Sequence, residues 1–258
     1  MIQECSVQSL TILLVEDNPL NALIASRLLT KSGHTFVSAA DGKEALEALL
    51  KEHIDLVLMD LEMPDMDGME TTRRIRDGEA GEENRSVPII AMTAHRLNEV
   101  REKCKSVGMN NFITKPVDFH KLNALIQQSV PNARGPCDSG KAKTVYEKEQ
   151  TILNKKKALD RIQGDEALLR KLYDIFVKTA PELTEQLRRA ITSDNIKDIA
   201  FYAHFFKGQA AAIGAESCYE IAEQMEDIAT EGRSDQIGQF FENLEQELIK
   251  VMTLIRQG

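Results

Sequence analysis

Glu16, Asp17, Asp60, Thr93 and Lys115 each stand at the end of a short apolar run. Brought together, three acids, a hydroxyl and an ammonium could bind a hard cation and activate a carboxylate. The run Leu56 to Met59 suits a strand buried on both faces, with Asp60 as its first charged residue and Pro64 and Gly68 breaking the chain soon after. Thr11 to Val15 leads into Glu16 and Asp17, Pro88 to Met92 into Thr93, and Asn111 to Thr114 into Lys115 and Pro116. Taken alone, Asp60 could simply cap a turn. Taken with the others, it is a candidate nucleophile: acids hold Mg2+ through oxygen, Lys115 neutralises a phosphoryl group, and Thr93 hydrogen-bonds one of its oxygens.

These residues need a scaffold that brings strand ends together. Helical spacing follows Pro19 up to Gly33, His34 to Ala39 reads as a second strand, and Lys43 to Lys51 has one apolar face. Helices are also expected after Gly68, over Leu97 to Val107 and over Phe119 to Val130. Five strands alternating with five helices predict an α/β fold, a doubly wound five-stranded parallel sheet with right-handed crossovers. All five polar residues then lie along the carboxyl edge of that sheet, where open parallel sheets place their chemistry.

The second half has a different pattern. Residues 131–150 carry Pro131, Gly135, Pro136 and Gly140 with little apolar periodicity, and read as a linker between a domain over 9–130 and one over 151–258. A short helix capped by Asn154 is followed by a long one opened by Asp165, with Pro181 expected to kink it. Three more helices, from about Asp194, Ser217 and Ser234, complete an all-α, up-down four-helix bundle. In the third helix of this half, Ile199, Ala203, Phe206, Ala210 and Ile213 follow core spacing, which turns His204 outward. Ala200, Lys207, Gly208 and Ala211 share its face. Small neighbours would let another protein approach the imidazole, and Lys207 could meet phosphoryl charge. An isolated surface histidine often does nothing, but Gly208 costs about 1 kcal/mol in a helix interior, which suggests a steric purpose.

With 258 residues, 42% apolar and 28% charged, each half can bury its own core. The net charge of -9 disfavours a nucleic-acid partner, which would need clustered Lys and Arg. No run is long enough for a membrane span and no leader is evident, so a cytoplasmic location is expected. Cys5, Cys104, Cys137 and Cys218 lack paired spacing and read as reduced thiols.

From Ser9 to Val130 the chain resembles the receiver domain of two-component signalling, on Glu16-Asp17, Asp60 with Met63-Pro64 and Asp67-Gly68, Thr93-Ala94 and Lys115-Pro116. The resemblance implies a flavodoxin-like fold, Asp60 as phospho-acceptor, and Mg2+ held by Glu16, Asp17, Asp60 and the backbone carbonyl of Glu62. It also implies a switch role for Thr93 and for Phe112, whose position is often Tyr, and a cis bond before Pro116. Glu62 and His95 would flank the approach of water to the acyl phosphate. From Ile152 onward the chain resembles the histidine phosphotransfer family, on Ala203-His204, Lys207-Gly208 and Gly214-Ala215. There His204 would carry the phosphoryl group, Gly208, Ala200 and Ala211 would form the docking face, and Phe206 in place of the commoner Leu would alter packing only.

The expected function is a phosphorelay. An upstream sensor histidine kinase loads Asp60, and His204 carries phosphoryl onward to a separate response regulator receiver, as at the end of a hybrid kinase. No Gly-rich nucleotide-binding segment is present, so ATP use is not expected. Two other readings stay open: an interaction module regulated by phospho-Asp60, with His204 serving another partner, and a phosphate sink in which His204 returns phosphoryl to Asp60 for hydrolysis.

Overall fold

The computed structural model describes residues 9–93, 97–130, 152–233 and 236–257. The expected linker, Cys5, Cys137, Ala94 and His95 lie outside them. The chain divides into two compact units, Met1–Lys143 and Thr144–Gly258.

The first unit alternates β1 (Thr11–Val15), α1 (Pro19–Lys31), β2 (Thr35–Ala39), α2 (Gly42–Lys51), β3 (Leu56–Asp60), α3 (Gly68–Asp77), β4 (Ile89–Thr93), α4 (Leu97–Ser106), β5 (Asn111–Thr114) and α5 (Phe119–Ser129). A short 3-10 turn at Glu82–Ser86 precedes β4. All neighbouring strands pair in parallel, in the order β2-β1-β3-β4-β5. Alternation of side chains sends Leu13, Val15, Val57, Met59, Ile89 and Ala91 to one face, where they join Ala45 and Leu49 of α2, Ile75 of α3 and Cys104 of α4 in one core. Ile12, Leu14, Leu58 and Ile90 have the opposite parity and are also buried, as are Leu20, Ile24 and Leu28 of α1 and Leu122 and Ile126 of α5. Burial on both faces explains why β1, β3 and β4 read as continuous apolar runs. Helix starts are set by side-chain caps: Asn18, Asp41, Asp67 and Asp118 each accept from a backbone N–H in the first turn.

The second unit contains α6 (Lys155–Arg161), α7 (Glu166–Thr192), α8 (Ile196–Ile213), α9 (Glu216–Thr230) and α10 (Ile237–Gln257). Helix α8 packs against α7 and α9, and α10 closes the bundle against both of those, while α6 lies on α7 and α8. Asn154, Asp165 and Asn195 cap α6, α7 and α8. Pro181 does not interrupt α7, which continues for 11 residues beyond it. The expected core positions Ile199, Ala203, Phe206, Ala210 and Ile213 are all buried. Phe206 meets Phe176 of α7 edge-on, with ring centroids 6.2 Å apart. No helix among the described residues is long and apolar enough to cross a membrane.

Candidate functional site

Strand register assembles the first site. Val15 pairs with Met59, Asp60 with Met92 and Thr93 with Thr114, so Glu16, Asp60, Thr93 and Lys115 follow one another across the carboxyl edge of the sheet. Carboxylate oxygens of Glu16, Asp17 and Asp60 lie within 4.8 Å of one another. Lys115 reaches into this group, with Nζ 2.5 Å from Asp60 Oδ2 and 2.8 Å from Glu16 Oε2. The peptide bond Lys115–Pro116 is cis. Asp60 Oδ1 accepts from the Glu62 backbone N–H at 3.1 Å, which places the Glu62 backbone beside the acid cluster. Asn21 Nδ2, one turn into α1, donates to Glu16 Oε1 at 3.0 Å and steadies that carboxylate.

The electrostatics follow from burial. Glu16, Asp60 and Thr93 are nearly inaccessible. Burial pushes the Glu16 carboxyl up, Lys115 opposes that and Asp60 adds to it, leaving it at about 8. Burial alone would lower Lys115, but Asp60 and Glu16 outweigh it and raise its ammonium above the ordinary lysine range. Carboxyl groups therefore crowd one ammonium in a desolvated corner. Crowded oxygen donors of this kind fit a hard divalent cation such as Mg2+, which relieves their repulsion. Phe112 is partly buried against the core of the unit, and the Arg101 guanidinium lies 5.4 Å from the centre of its ring.

The second site sits on α8. His204 is partly buried, with Nδ1 3.0 Å from Glu226 Oε1 on α9. The helix spacing that turned His204 outward did not include this contact, in which α9 covers its Nδ1 edge. Lys207 is 3% exposed and its ammonium holds Glu226 Oε2, so it is part of an ion pair and not a free surface cation. Ala211 is also buried, with Arg161 of α6 donating to its carbonyl, while Ala200 and Gly208 are partly buried. Glu226 was not singled out by the sequence reading. Its signal was an acid beside the buried stripe Cys218, Ala222, Met225 and Ala229 of α9. Burial pushes the Glu226 carboxyl up, but His204 and Lys207 outweigh this and hold it below the usual carboxylate range.

Comparison with known proteins matches both units. Residues 12–127 match the response regulator receiver domain and residues 171–254 the Hpt domain. The chain therefore carries a receiver module and a histidine phosphotransfer module, the parts of a phosphorelay signal-transduction protein. Among its relatives are histidine kinases. The aerobic respiration control sensor protein ArcB of Escherichia coli is 26% identical over 251 residues, covering 93% of this chain and 30% of that protein. A probable histidine kinase of Oryza sativa subsp. indica is 37% identical over 148 residues, covering 46% of this chain and 15% of that protein. The chain thus spans less than a third of the length of these relatives. Among solved structures, the receiver domain of a sensor histidine kinase from Pseudomonas aeruginosa, which has a magnesium ion in its active-site cleft, is 38% identical with a TM-score of 0.44, covering 48% of this chain and 99% of that one.

Proposed function

We propose that this protein passes a phosphoryl group through two carriers, an aspartate and a histidine. The observation that carries the reading is the convergence of Glu16, Asp17 and Asp60 within 4.8 Å, with Lys115 at 2.5 Å from Asp60. Glu16, Asp17, Asp60 and the backbone carbonyl of Glu62 would hold Mg2+, which when bound supplies charge neutralisation for the phosphoryl oxygens. The protein's own residues do the rest. A carboxylate oxygen of Asp60 attacks phosphorus on a phosphohistidine donor, the P–N bond breaks, and an acyl phosphate forms. Lys115 turns its ammonium from Asp60 toward the incoming oxygens, and the Thr93 hydroxyl offers one of them a hydrogen bond. Thr93 and Phe112 then report the phosphorylated state to the surface as the switch pair. His204 is the second carrier, with Lys207 supporting its site, and Ala200, Gly208 and Ala211 shape the approach to it.

In this reading the donor is a sensor histidine kinase and the acceptor beyond His204 is a separate response regulator receiver. The test is a time course with a small acyl-phosphate donor and Mg2+, scoring base-labile label at Asp60 and acid-labile label at His204. Asp60→Asn should abolish both labels, while His204→Gln should abolish only the second. Label on His204 in Asp60→Asn, or none on Asp60 in the unaltered chain, would overturn the scheme.

A further inference from the structure

At the amino edge of the sheet, opposite Asp60, a buried histidine holds the chain that enters β1. The carboxyl end of α1 sets where this residue lies. Gly33, at φ 82°, directs its own N–H to the Thr30 carbonyl and the His34 N–H to the Leu29 carbonyl, the paired bonds that close a helix end. His34 is 5% exposed, and its Nδ1 lies 3.3 Å from the backbone nitrogen of Leu10. A backbone N–H can only donate, so Nδ1 carries the lone pair and the ring proton sits on Nε2. The Thr35 N–H then donates to the Leu10 carbonyl at 2.9 Å, and the Thr11 N–H donates to Asp55 Oδ2 at 2.7 Å. Two successive N–H groups at the entry of β1 therefore end on titratable side chains, one just before β2 and one just before β3.

The geometry points to a pH-sensitive clasp, in which neutral His34 holds the chain entering β1 and protonated His34 releases it. Acid acts differently on the two side chains. A carboxyl that gains a proton still has an oxygen with which to accept, whereas an imidazolium has donors at both nitrogens. Charged His34 sets Nδ1–H against the Leu10 N–H and leaves a buried donor without an acceptor, which is costly. Burial alone lowers the ring's affinity for a proton. Among the described residues, the charged groups toward this edge are Arg27 and Lys31 of α1, Lys51 and Glu52 at the end of α2, and His53 and Asp55 before β3. None of them shifts the ring, and residues 122–129 of α5 include no titratable side chain. The open form of the clasp therefore takes up a proton at the ordinary histidine value of 6.5, and the closed form only at a lower pH. The clasp is complete above 6.5 and is lost as pH falls through the lowered folded value. This sign is opposite to that of Glu16, whose raised carboxyl favours the fold in acid, so the local Leu10 amide is the readout.

The experiment is amide hydrogen exchange at Leu10, with 15N NMR of the histidine rings, on the full 258-residue chain over a pH series for the unaltered protein, His34→Asn and His34→Ala. Asparagine offers an amide oxygen close to the Nδ1 position and takes up no proton. In the unaltered protein the His34 ring, identified by its absence from both variants, should be the Nε2–H tautomer and titrate below 6.5. Opening at Leu10, corrected for the intrinsic exchange rate, should become more favourable by up to about tenfold per pH unit below that value. His34→Asn should keep Leu10 protected without this slope, and His34→Ala should lose the protection at every pH. A midpoint at or above 6.5, an Nδ1–H tautomer, or the same slope in His34→Asn would overturn the proposal, the last by assigning the sensor to another group such as Asp55. If His34→Ala does not fold, His34→Asn and the ring titration decide alone.

Discussion

Gly68 lies directly against the backbone of Asp60: a Cβ at position 68 would fall 2.0 Å from the Asp60 carbonyl oxygen and 3.0 Å from Leu61 Cα. The Gly68 N–H also donates to the Leu61 carbonyl, so α3 starts in contact with the strand end that presents the acid. Gly68→Ala must move backbone, because no side chain stands in the way. It should cost about 2–3 kcal/mol in urea unfolding and reduce acyl-phosphate formation at Asp60 as well. Gly42 provides the contrast. A Cβ there meets Thr71 Oγ1 at 2.2 Å and Met66 Sδ at 2.8 Å; the Met66 side chain can turn aside, whereas Thr71 is buried, β-branched and bonded through Oγ1 to the Asp67 carbonyl. Gly42→Ala should also cost about 1–3 kcal/mol, because Thr71 must give up its bond to Asp67, but should leave Asp60 chemistry intact. Equal losses of acyl-phosphate formation in the two variants would contradict the assignment of Gly68 to site geometry.

The two units should respond to pH with opposite sign. Glu16 has its carboxyl raised from an ordinary 4.5 to about 8 in the folded chain, so the folded state binds the proton more tightly than the unfolded one. Its contribution to stability is complete below pH 4.5 and is lost as pH rises through 8. Without Mg2+, the sheet unit should weaken over this window. Added Mg2+, which binds ionised carboxylates, should flatten the slope. Glu226 has its carboxyl lowered, so its contribution is present above its ordinary value and fades as pH falls through the folded one. Urea titrations read from resolved NMR signals of β1 and β3, and separately of α8 and α9, measure both slopes. A metal-free sheet unit that gains stability from pH 5 to 8 would refute the first half.

Much of the carboxylate site was legible in the sequence, whereas the histidine site was only half so, and the physical difference is specific. Asp60 and Thr93 close strands buried throughout, marked by an abrupt change from apolar to polar residues, Lys115 follows the half-buried β5, and parallel topology puts all such ends on one edge. Nothing comparable marks Glu226. Its partner is 22 residues away on another helix, and which residue of α9 faces His204 depends on how the two helices are rotated in the bundle. Lys207 shows the related limit. Helical spacing places its Cα near the His204 face, but the four-carbon stem carries the ammonium to Glu226, and spacing is blind to where a long side chain ends.

Arg76 illustrates the same limit in the first unit and leads to a prediction. Its guanidinium donates to the carbonyls of Gly108 at 2.9 Å, Arg85 at 2.9 Å and Val87 at 2.9 Å, and to Asn110 Oδ1 at 3.3 Å. One side chain on α3 thereby ties together the segments that precede β4 and β5. Asn110 completes the joint by accepting from the Ile89 N–H at 2.8 Å. A lysine has no planar fork to serve four acceptors. Arg76→Lys should lose about 2 kcal/mol and Arg76→Ala about 3 kcal/mol, seen as a lower urea midpoint for the sheet unit. Full retention of stability in Arg76→Lys would mean that the network is solvated and adds nothing.

Pro181 is the remaining local conflict between sequence and fold, since α7 runs through it without a break. Proline has no N–H, so the Val177 carbonyl lacks its partner four residues on, and the ring crowds that same turn. The side chain at 181 is exposed, so replacing it with alanine removes no core packing. Two terms compete. Alanine is favoured over proline inside a helix by about 3 kcal/mol, while the unfolded chain gains freedom worth about 0.4–1 kcal/mol when proline is removed. The helical term wins, and relaxation of the native helix around Pro181 already offsets part of it. Pro181→Ala should therefore stabilise the bundle by about 1–2 kcal/mol, with the hydrogen-exchange protection of residues 178–185 raised in step. If stability falls instead, the proline is setting the direction in which the second half of α7 packs against α8 and α10, and the bundle depends on that direction more than on one restored hydrogen bond.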